Sequence, residues 1–369
     1  MDSGVATLQD VAKLAAVSVS TVSRILKAKE GEPIPFSGET QTRVRRAARR
    51  LGYRPSKPAR GLVGSRTNIV GLIVPSLEDS FFPSITSALQ KELNASGYNV
   101  LLVNTEQDHD VERSSLEDFL SWRVDGLIVA PSQSASDARL YWELWRLKVP
   151  FVLVDRFFAD TPFASVVTDD HAGAVMAVEH LLALGPKRVA RAGSALPVST
   201  GRLRHQGYVD ALLRHGLQPD PARALEAEPA ALAGREVAAR LLRLEPRPDA
   251  LFCFSDMVAV GVIEECLERG LRIPEDLAVV GYADLDFSRF TRVPLTTVRQ
   301  PRNEIGRLAA RMLLDQIRGK PLEEPQAVLP VELVVRESTV GAGGLAARGR
   351  RGSHGSGEGS CPEEDSSRS

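Results

Sequence analysis

Residues 7–26, Thr-Leu-Gln-Asp-Val-Ala-Lys-Leu-Ala-Ala-Val-Ser-Val-Ser-Thr-Val-Ser-Arg-Ile-Leu, constrain this chain more than any other stretch. They read as two short helices joined by a tight turn. Thr7 and Asp10 fit a capping box, in which the hydroxyl takes an orphan amide and the acid three residues on reaches back. Val11, Ala12 and Ala15 then form the apolar stripe of a two-turn helix. Ala16 and Val17 make the turn, and Ser18 caps a second helix whose buried face is Val22, Ile25 and Leu26. Val19, Ser20, Ser23 and Arg24 point outwards. A helix-turn-helix of this kind places its second helix in the DNA major groove. Amphipathic helix pairs also occur in proteins that bind nothing, and charge separates the two cases. Residues 1–66 carry thirteen Lys and Arg against five acids, in a chain whose net charge is −1. A segment at +8 beside a remainder at −9 points to a polyanionic partner for the basic part.

At 369 residues the chain has room for two or three domains, each able to bury a core. No stretch approaches the roughly 18–20 apolar residues that a membrane helix needs. The first residues lack the basic-then-apolar layout of a secretory signal, so a cytoplasmic protein without membrane contact is expected. Cys253, Cys266 and Cys361 have no metal-ligand spacing and read as free thiols. Residues 341–369 are rich in Gly, Ser, Arg and Glu and read as a disordered tail.

Between these ends strands and helices alternate. Ile69–Val74, Val100–Val103, Gly126–Val129, Phe151–Val154, Leu251–Phe254 and Leu277–Val280 are short apolar runs. Amphipathic segments at 81–96, 110–121, 171–184, 200–215, 231–243, 256–269 and 302–318 separate them. Continuous apolar strands between helices imply parallel sheets covered on both faces. About ten strands are better housed in two doubly wound subdomains than in one, with ligand in the crevice outside the carboxyl ends of the strands.

Taken together, the residues resemble the lactose-repressor (LacI/GalR-type) family of bacterial transcription regulators. The matching pieces are Leu8-Gln-Asp-Val-Ala12, Val17-Ser18, Thr21-Val-Ser-Arg24, Leu51-Gly-Tyr-Arg-Pro55, Val124-Asp-Gly-Leu-Ile-Val129, Leu153-Val-Asp-Arg156, Glu179-His-Leu-Leu182 and Leu295-Thr-Thr-Val-Arg-Gln-Pro301. They run in order from about residue 7 to 340. The resemblance implies an all-α helix-turn-helix headpiece (1–55), a hinge (56–66) and a periplasmic-binding-protein-like type I α/β core (67–340). The core would be two doubly wound parallel-sheet subdomains, one of about 67–166 plus 299–325 and the other of about 167–298 plus 326–340. By implication the protein is a ligand-responsive regulator, most readily a repressor. It would bind a near-palindromic double-stranded operator as a homodimer and a sugar or sugar derivative in the cleft. No cofactor or metal is implied.

In that resemblance a third helix spans about Glu39 to Leu51, with Val44, Ala47, Ala48 and Leu51 inward. Arg43, Arg45, Arg46, Arg49 and Arg50 take its other faces, for solvent or phosphate. The DNA-contacting set is Thr7, Ser18, Val19, Ser20, Thr21, Ser23, Arg24, Lys27 and Tyr53, with Ser56, Ala59, Arg60 and Leu62 in the hinge. Val19 offers apolar contact, as to a thymine methyl, and Arg24 can fork to a guanine. Leu62 takes the position of the leucine wedged into the minor groove, with Ala59 close-packed beside it. Ala16 stands where a turn glycine is common, so a locally different turn is expected. Residues 28–38 are about four longer than usual, which loosens the expected placement of the third helix. Gly61 lowers the helicity of the hinge by about 1 kcal/mol relative to alanine.

The effector set implied by the resemblance is Asp79, Phe81, Phe82, Asp155, Arg204, Ser255, Asp256 and Ala283. Phe81 and Phe82 would form an apolar platform, Asp155 would accept ligand hydroxyls and Arg204 would clamp the ligand. Ala283 replaces the acid that commonly touches ligand, Asp284 is left in a structural role, and Pro229 replaces a common aromatic lid. A pocket with fewer acceptors suits a ligand with fewer hydroxyls on that side, or an acidic or phosphorylated sugar. Two rival classes remain. A sugar-binding protein of a transport system would share the core but would carry a signal segment and no basic headpiece. An enzyme would need a motif, and Asp155, Asp169, Asp170, His171, His205 and Asp284 form none that fixes a nucleophile, metal or phosphate loop.

Overall fold

The computed structural model describes residues 6–28, 33–53, 66–132, 138–186, 188–194 and 198–341. The chain divides into two units, residues 1–67 and 68–369. The first is a three-helix headpiece of α1 (Leu8–Ala15), α2 (Val19–Lys27) and α3 (Gly38–Arg50). Thr7 and Asp10 close the capping box, with the Thr7 amide donating to the carboxylate at 2.8 Å and the Asp10 amide to the hydroxyl at 3.3 Å. Those bonds, with Lys13 nearby, hold the Asp10 carboxyl below its usual range.

Ala16 adopts the left-handed conformation at φ 49° and ψ 49°, so the turn is kept rather than altered. For a side chain with a Cβ that conformation costs about 1–2 kcal/mol. Two bonds offset it: the Val17 amide donates to Ala12 O at 3.1 Å, and Arg43 Nε donates to Ala15 O at 2.9 Å. Arg43 is therefore a structural strut between α3 and the turn, not a free surface cation. Val11, Ala15, Val22, Ile25 and Val44 are fully buried around this point. Ile34 and Phe36, in the long connection, pack against the same core and seat α3. Leu51, expected inward, is 37% exposed, because the helix ends one residue before it.

The second unit is the α/β core. In chain order its elements are β1 (Ile69–Val74), α4 (Phe81–Ala95), β2 (Asn99–Asn104), α5 (His109–Ser121), β3 (Gly126–Val129), α6 (Ala138–Arg146), β4 (Phe151–Val154), β5 (Ser165–Thr168), α7 (Asp170–Ala183), β6 (Val189–Ser194), α8 (Ser199–Arg214) and β7 (Ala224–Ala227). They continue with α9 (Ala231–Leu241), β8 (Ala250–Cys253), α10 (Asp256–Glu268), β9 (Ala278–Ala283), β10 (Thr296–Arg299), α11 (Arg302–Ile317), β11 (Gln326–Leu329) and β12 (Glu332–Val334). Among the described residues these strands form two six-stranded sheets, ordered β11-β5-β4-β3-β1-β2 and β12-β10-β9-β8-β6-β7. Every pairing is parallel except that of β12 with β10. The central strands are buried on both faces, which is why they read as unbroken apolar runs.

The chain crosses between the subdomains three times, after β5, after β10 and after β11. β5 carries the first sheet to Thr168 and β10 carries the second to Arg299; α11 then packs on the first subdomain and β11 at 326–329 joins its sheet. The sequence alone placed 326–340 wholly in the second subdomain. β11 is a short edge strand whose alternate residues face solvent, so its four residues carry little of the apolar signal by which a strand is read.

Helices cover both faces of each sheet. On the second subdomain α9 and α10 come close enough that backbone touches backbone. A Cβ added at Gly261 would lie 1.9 Å from Ala231 O, and one at Gly234 would lie 2.2 Å from Val258 O. Gly261→Ala is therefore expected to destabilise the fold by about 1–3 kcal/mol, the usual range for overpacking. Urea unfolding measures it, and a midpoint equal to that of the parent protein would contradict this packing.

Candidate functional site

Two surfaces bring the singled-out residues together, one in each unit. In the headpiece Ser18 caps α2, its Oγ accepting from the Thr21 amide at 3.1 Å. The same hydroxyl lies 2.8 Å from those of Ser20 and Thr21, so the three form one polar cluster over the first turn. Val19 is 42% exposed, Ser20 and Arg24 are exposed, and Thr21 and Ser23 are half-buried. Thr7 is exposed but its hydroxyl also serves the capping box, donating to Asp10 at 2.7 Å. Tyr53 is half-buried against the headpiece core, its amide donating to Ala48 O at 2.9 Å. Lys27 ends α2, with its side chain outside the described residues, as are Ser56, Ala59, Arg60 and Leu62. The first turn of α2 thus presents a small, unobstructed face with one guanidinium beside it.

In the core a cavity of about 290 Å³ lies at the carboxyl ends of the strands of both sheets. Phe81 and Phe82 open α4 and meet edge to face with centroids 5.0 Å apart. Both are buried in the first subdomain's core while lining the cavity, so the platform is also a core element. Asp79 fixes the start of that helix, its Oδ1 accepting from the Phe81 amide at 2.7 Å. Burial pushes its carboxyl above the usual range, against the bond from Phe81 and the charge of Arg302.

Asp155 follows β4 in the left-handed conformation, φ 63°, buried beside the cavity. Its burial raises the carboxyl to about 6, opposed by Arg156, whose Nε is 3.7 Å away, and by Arg204. Arg204 is held on three sides. Its Nε donates to Asp170 at 2.7 Å, its Nη1 to Phe254 O at 2.7 Å, and its guanidinium carbon stands 3.7 Å from the Tyr282 ring centroid. A fork fixed this way offers its remaining donors in one direction, toward the cavity.

Ser255 caps α10, accepting from the Met257 amide at 3.2 Å, and lines the cavity. Asp256, expected to touch the ligand, does not line it. Its carboxylate is fully buried behind the wall, accepting from the Leu285 amide at 2.8 Å, from Ser288 Oγ at 2.7 Å and from Thr297 Oγ1. Three donors saturate it, and its role is to pin the β9–β10 loop. Ala283 lines the cavity at φ 118°, and Asp284 follows at φ 49°. Asp284 is turned to Arg299 Nε and Arg336 Nη2, each at 2.6 Å, and so does not replace the acid missing at 283.

Residues outside the expected set complete the cavity. Arg156 is buried, with Nη1 donating to Pro131 O at 2.8 Å and to Gln107 at 3.0 Å. Asn104 Oδ1 ends β2 with no partner among the described residues, and Gln300 and Tyr282 close the base. Arg156 lay inside the Leu153-Val-Asp-Arg156 match, and Asn104 lies where the strand-end rule sends a ligand. Asp79 and Asp155, with Glu78, Glu106 and Glu228 also in the lining, two guanidiniums, a free amide oxygen and an aromatic pair suit a small molecule with several polar groups and one apolar face.

Comparison with known proteins finds a family match in each of the two units. Residues 7–56 match the model of bacterial regulatory proteins of the lacI family, and residues 178–339 match a periplasmic binding protein-like domain. The HTH-type transcriptional repressor CytR of Escherichia coli K12 is 33% identical over 334 residues, 90% of this chain and 96% of that protein. The chain belongs to the lacI family. A ribose operon repressor of Halalkalibacterium halodurans is also 33% identical, across 91% of this chain and 97% of its own length. The lac repressor dimer, solved bound to operator and the anti-inducer ONPF, superposes with a TM-score of 0.79 at 29% identity, covering 91% of this chain and 99% of that one. As a lacI-family member the chain is a DNA-binding transcription regulator and not an enzyme. No helix of the described residues is long and apolar enough to cross a membrane.

The raised Asp155 carboxyl has a measurable consequence. Its folded value of about 6 lies above the ordinary 3.8, so protonation favours the folded state. The contribution is full below about pH 4 and is lost as pH rises through 6, on the order of 2–3 kcal/mol in all. Asp155→Asn removes that titration and tolerates the left-handed backbone. The variant is expected to gain stability relative to the parent between pH 4 and 7 in paired urea titrations. A constant difference across that range would rule out the buried, raised carboxyl.

Proposed function

We propose that this regulator is a repressor that binds a near-palindromic operator as a homodimer, and that a sugar or sugar derivative in the core cleft controls its operator affinity. The observation that carries the reading is the exposed first turn of α2, where Val19 and Ser20 stand clear of the core with Arg24 beside them. Val19 supplies apolar contact, Arg24 a fork for guanine, and the basic headpiece the phosphate contacts that set register. Because Val19 and Ser20 offer little hydrogen bonding, the hinge and DNA shape carry more of the specificity. Leu62, with Ala59 beside it, is the wedge in this reading.

Dimerisation is supported by the edge of the first sheet. β2 leaves Leu101 and Leu102 38% and 39% exposed, an apolar edge that a second copy would cover. Two-fold symmetry of the protein is then mirrored in the site. The effector reading rests on Arg204 and Asp155, with Arg156 in support. Effector shifts the equilibrium only by its differential affinity for the two cleft states, and coupling of about 1–3 kcal/mol is typical.

A salt-titrated anisotropy assay on operator DNA tests the proposal. The logarithm of affinity is expected to fall linearly with the logarithm of salt concentration. Arg24→Ala should cost about 1–3 kcal/mol and relax preference at the outer bases. Leu62→Ala should weaken operator binding and leave effector affinity intact. Affinity that ignores salt, or a Leu62→Ala variant as tight as the parent, would overturn the reading.

A further inference from the structure

Arg302, at the first residue of α11, touches both walls of the cleft. Its Nη1 donates to Ser80 O at 3.0 Å, Ser80 Oγ at 3.2 Å and Ser84 Oγ at 3.4 Å, all in the first subdomain. Its Nη2 donates to Asp284 O and to Asp286 Oδ1, each at 3.0 Å, in the β9–β10 loop of the second. The Asp286 amide reaches back to Ser80 Oγ at 3.3 Å. Ser80 makes no side-chain cap to α4, so its hydroxyl is free for this crossing.

Each end of the bridge is fixed to something rigid. On one side α11 and α4 are in backbone contact, since a Cβ added at Gly306 would lie 2.4 Å from Ile85 O. On the other, Asp256 holds the loop through the Leu285 amide and Ser288. The bridge also lies next to ligand-facing residues on both walls, with Asp79 and Phe81 flanking Ser80, and Ala283 and Leu285 flanking Asp284. A planar fork with one nitrogen committed to each wall fixes spacing and angle together, which a single ammonium does less well.

We propose that Arg302 is a positioning residue of the cleft. It sets the separation of the Asp79–Phe82 wall from the Ala283–Leu285 wall at this edge and makes that edge the pivot about which the subdomains close. The proposal rests on the effector-cleft reading, but its test requires neither effector nor operator, so the two can fail separately.

The test is a distance distribution between spin labels at Glu117→Cys on α5 and His215→Cys after α8, in a Cys361→Ser background, with the labelled full chain diluted into a large excess of unlabelled chain so that only distances within one protomer are read. Both positions are exposed, whereas Cys253 and Cys266 are buried. The parent should give one narrow distribution. Arg302→Ala should at least double its width. Asp286→Ala, the loss of an exposed side chain that leaves the core intact, should broaden it in the same direction by less. Arg302→Lys, which keeps the charge and one donor nitrogen, should recover at least half of the difference. Arg311→Ala, on the same helix but paired with Glu92 inside one subdomain, should leave the distribution unchanged. A merely structural role would lower the urea midpoint without altering the width. Unchanged widths in Arg302→Ala and Asp286→Ala would overturn the proposal, as would broadening by Arg311→Ala or no recovery with lysine.

Discussion

The three chain crossings are tied to one another, and the rest of the core depends on that knot. Gln300 Nε2, entering the second-to-last crossing, donates to Thr168 Oγ1 at 2.8 Å in the first, with both groups buried. The Asp169 amide donates to Leu329 O at 3.0 Å, linking the first crossing to the last. Neither subdomain is a continuous piece of chain, so neither sheet is complete until segments far apart in sequence have met. Each such bond contributes only about 1 kcal/mol net, but together they keep the two sheets abutting at their carboxyl ends. The cleft is the space left between them, and Gln300 itself forms part of its floor.

That geometry explains the cleft's electrostatics. Asp155 and Arg156 follow a strand end, Asp170 opens a helix and Arg204 lies in the second turn of another, and all four are buried. Buried charges are tolerated only when paired and hydrogen-bonded. The Asp170–Arg204 pair meets that condition through Phe254 O and the Tyr282 ring, and Arg156 meets it through Pro131 O and Gln107. Asp155 has the looser contact, with Arg156 Nε 3.7 Å away, and burial raises its carboxyl. A ligand entering here meets donors already held in place, and little ordering is left for binding to accomplish.

Most of this was legible in the sequence wherever burial leaves a continuous or periodic apolar signal. The central strands β1, β3, β4 and β8 and the long helices fall within a residue or two of the expected spans. What escaped were elements without that signal. β6 (Val-Ala-Arg-Ala-Gly-Ser) carries an arginine and a glycine, β10 (Thr-Thr-Val-Arg) buries two threonines through hydrogen bonds, and β7, β11 and β12 are edges. In β10 the buried polar residues are satisfied by partners distant in sequence, as Thr296 is by Arg336 and Thr339. In the site, residue type and strand-end position were readable but side-chain direction was not. Asp256 and Ser255 are adjacent, yet one lies behind the wall and the other lines it. Arg43 was read as a surface cation because the carbonyl it serves, Ala15 O, lies 28 positions away.

In the proposed function one chain joins a base-reading helix to a ligand cleft and acts on DNA as a symmetric pair. Selection of binding sites from random duplex DNA by the full-length protein tests it most directly. The proposed function requires enrichment of a near-palindrome whose half-sites are related by a two-fold axis, with the strongest preference at the outer bases and at the central step. Enrichment of a single unpaired half-site, or of no motif at all, would contradict it.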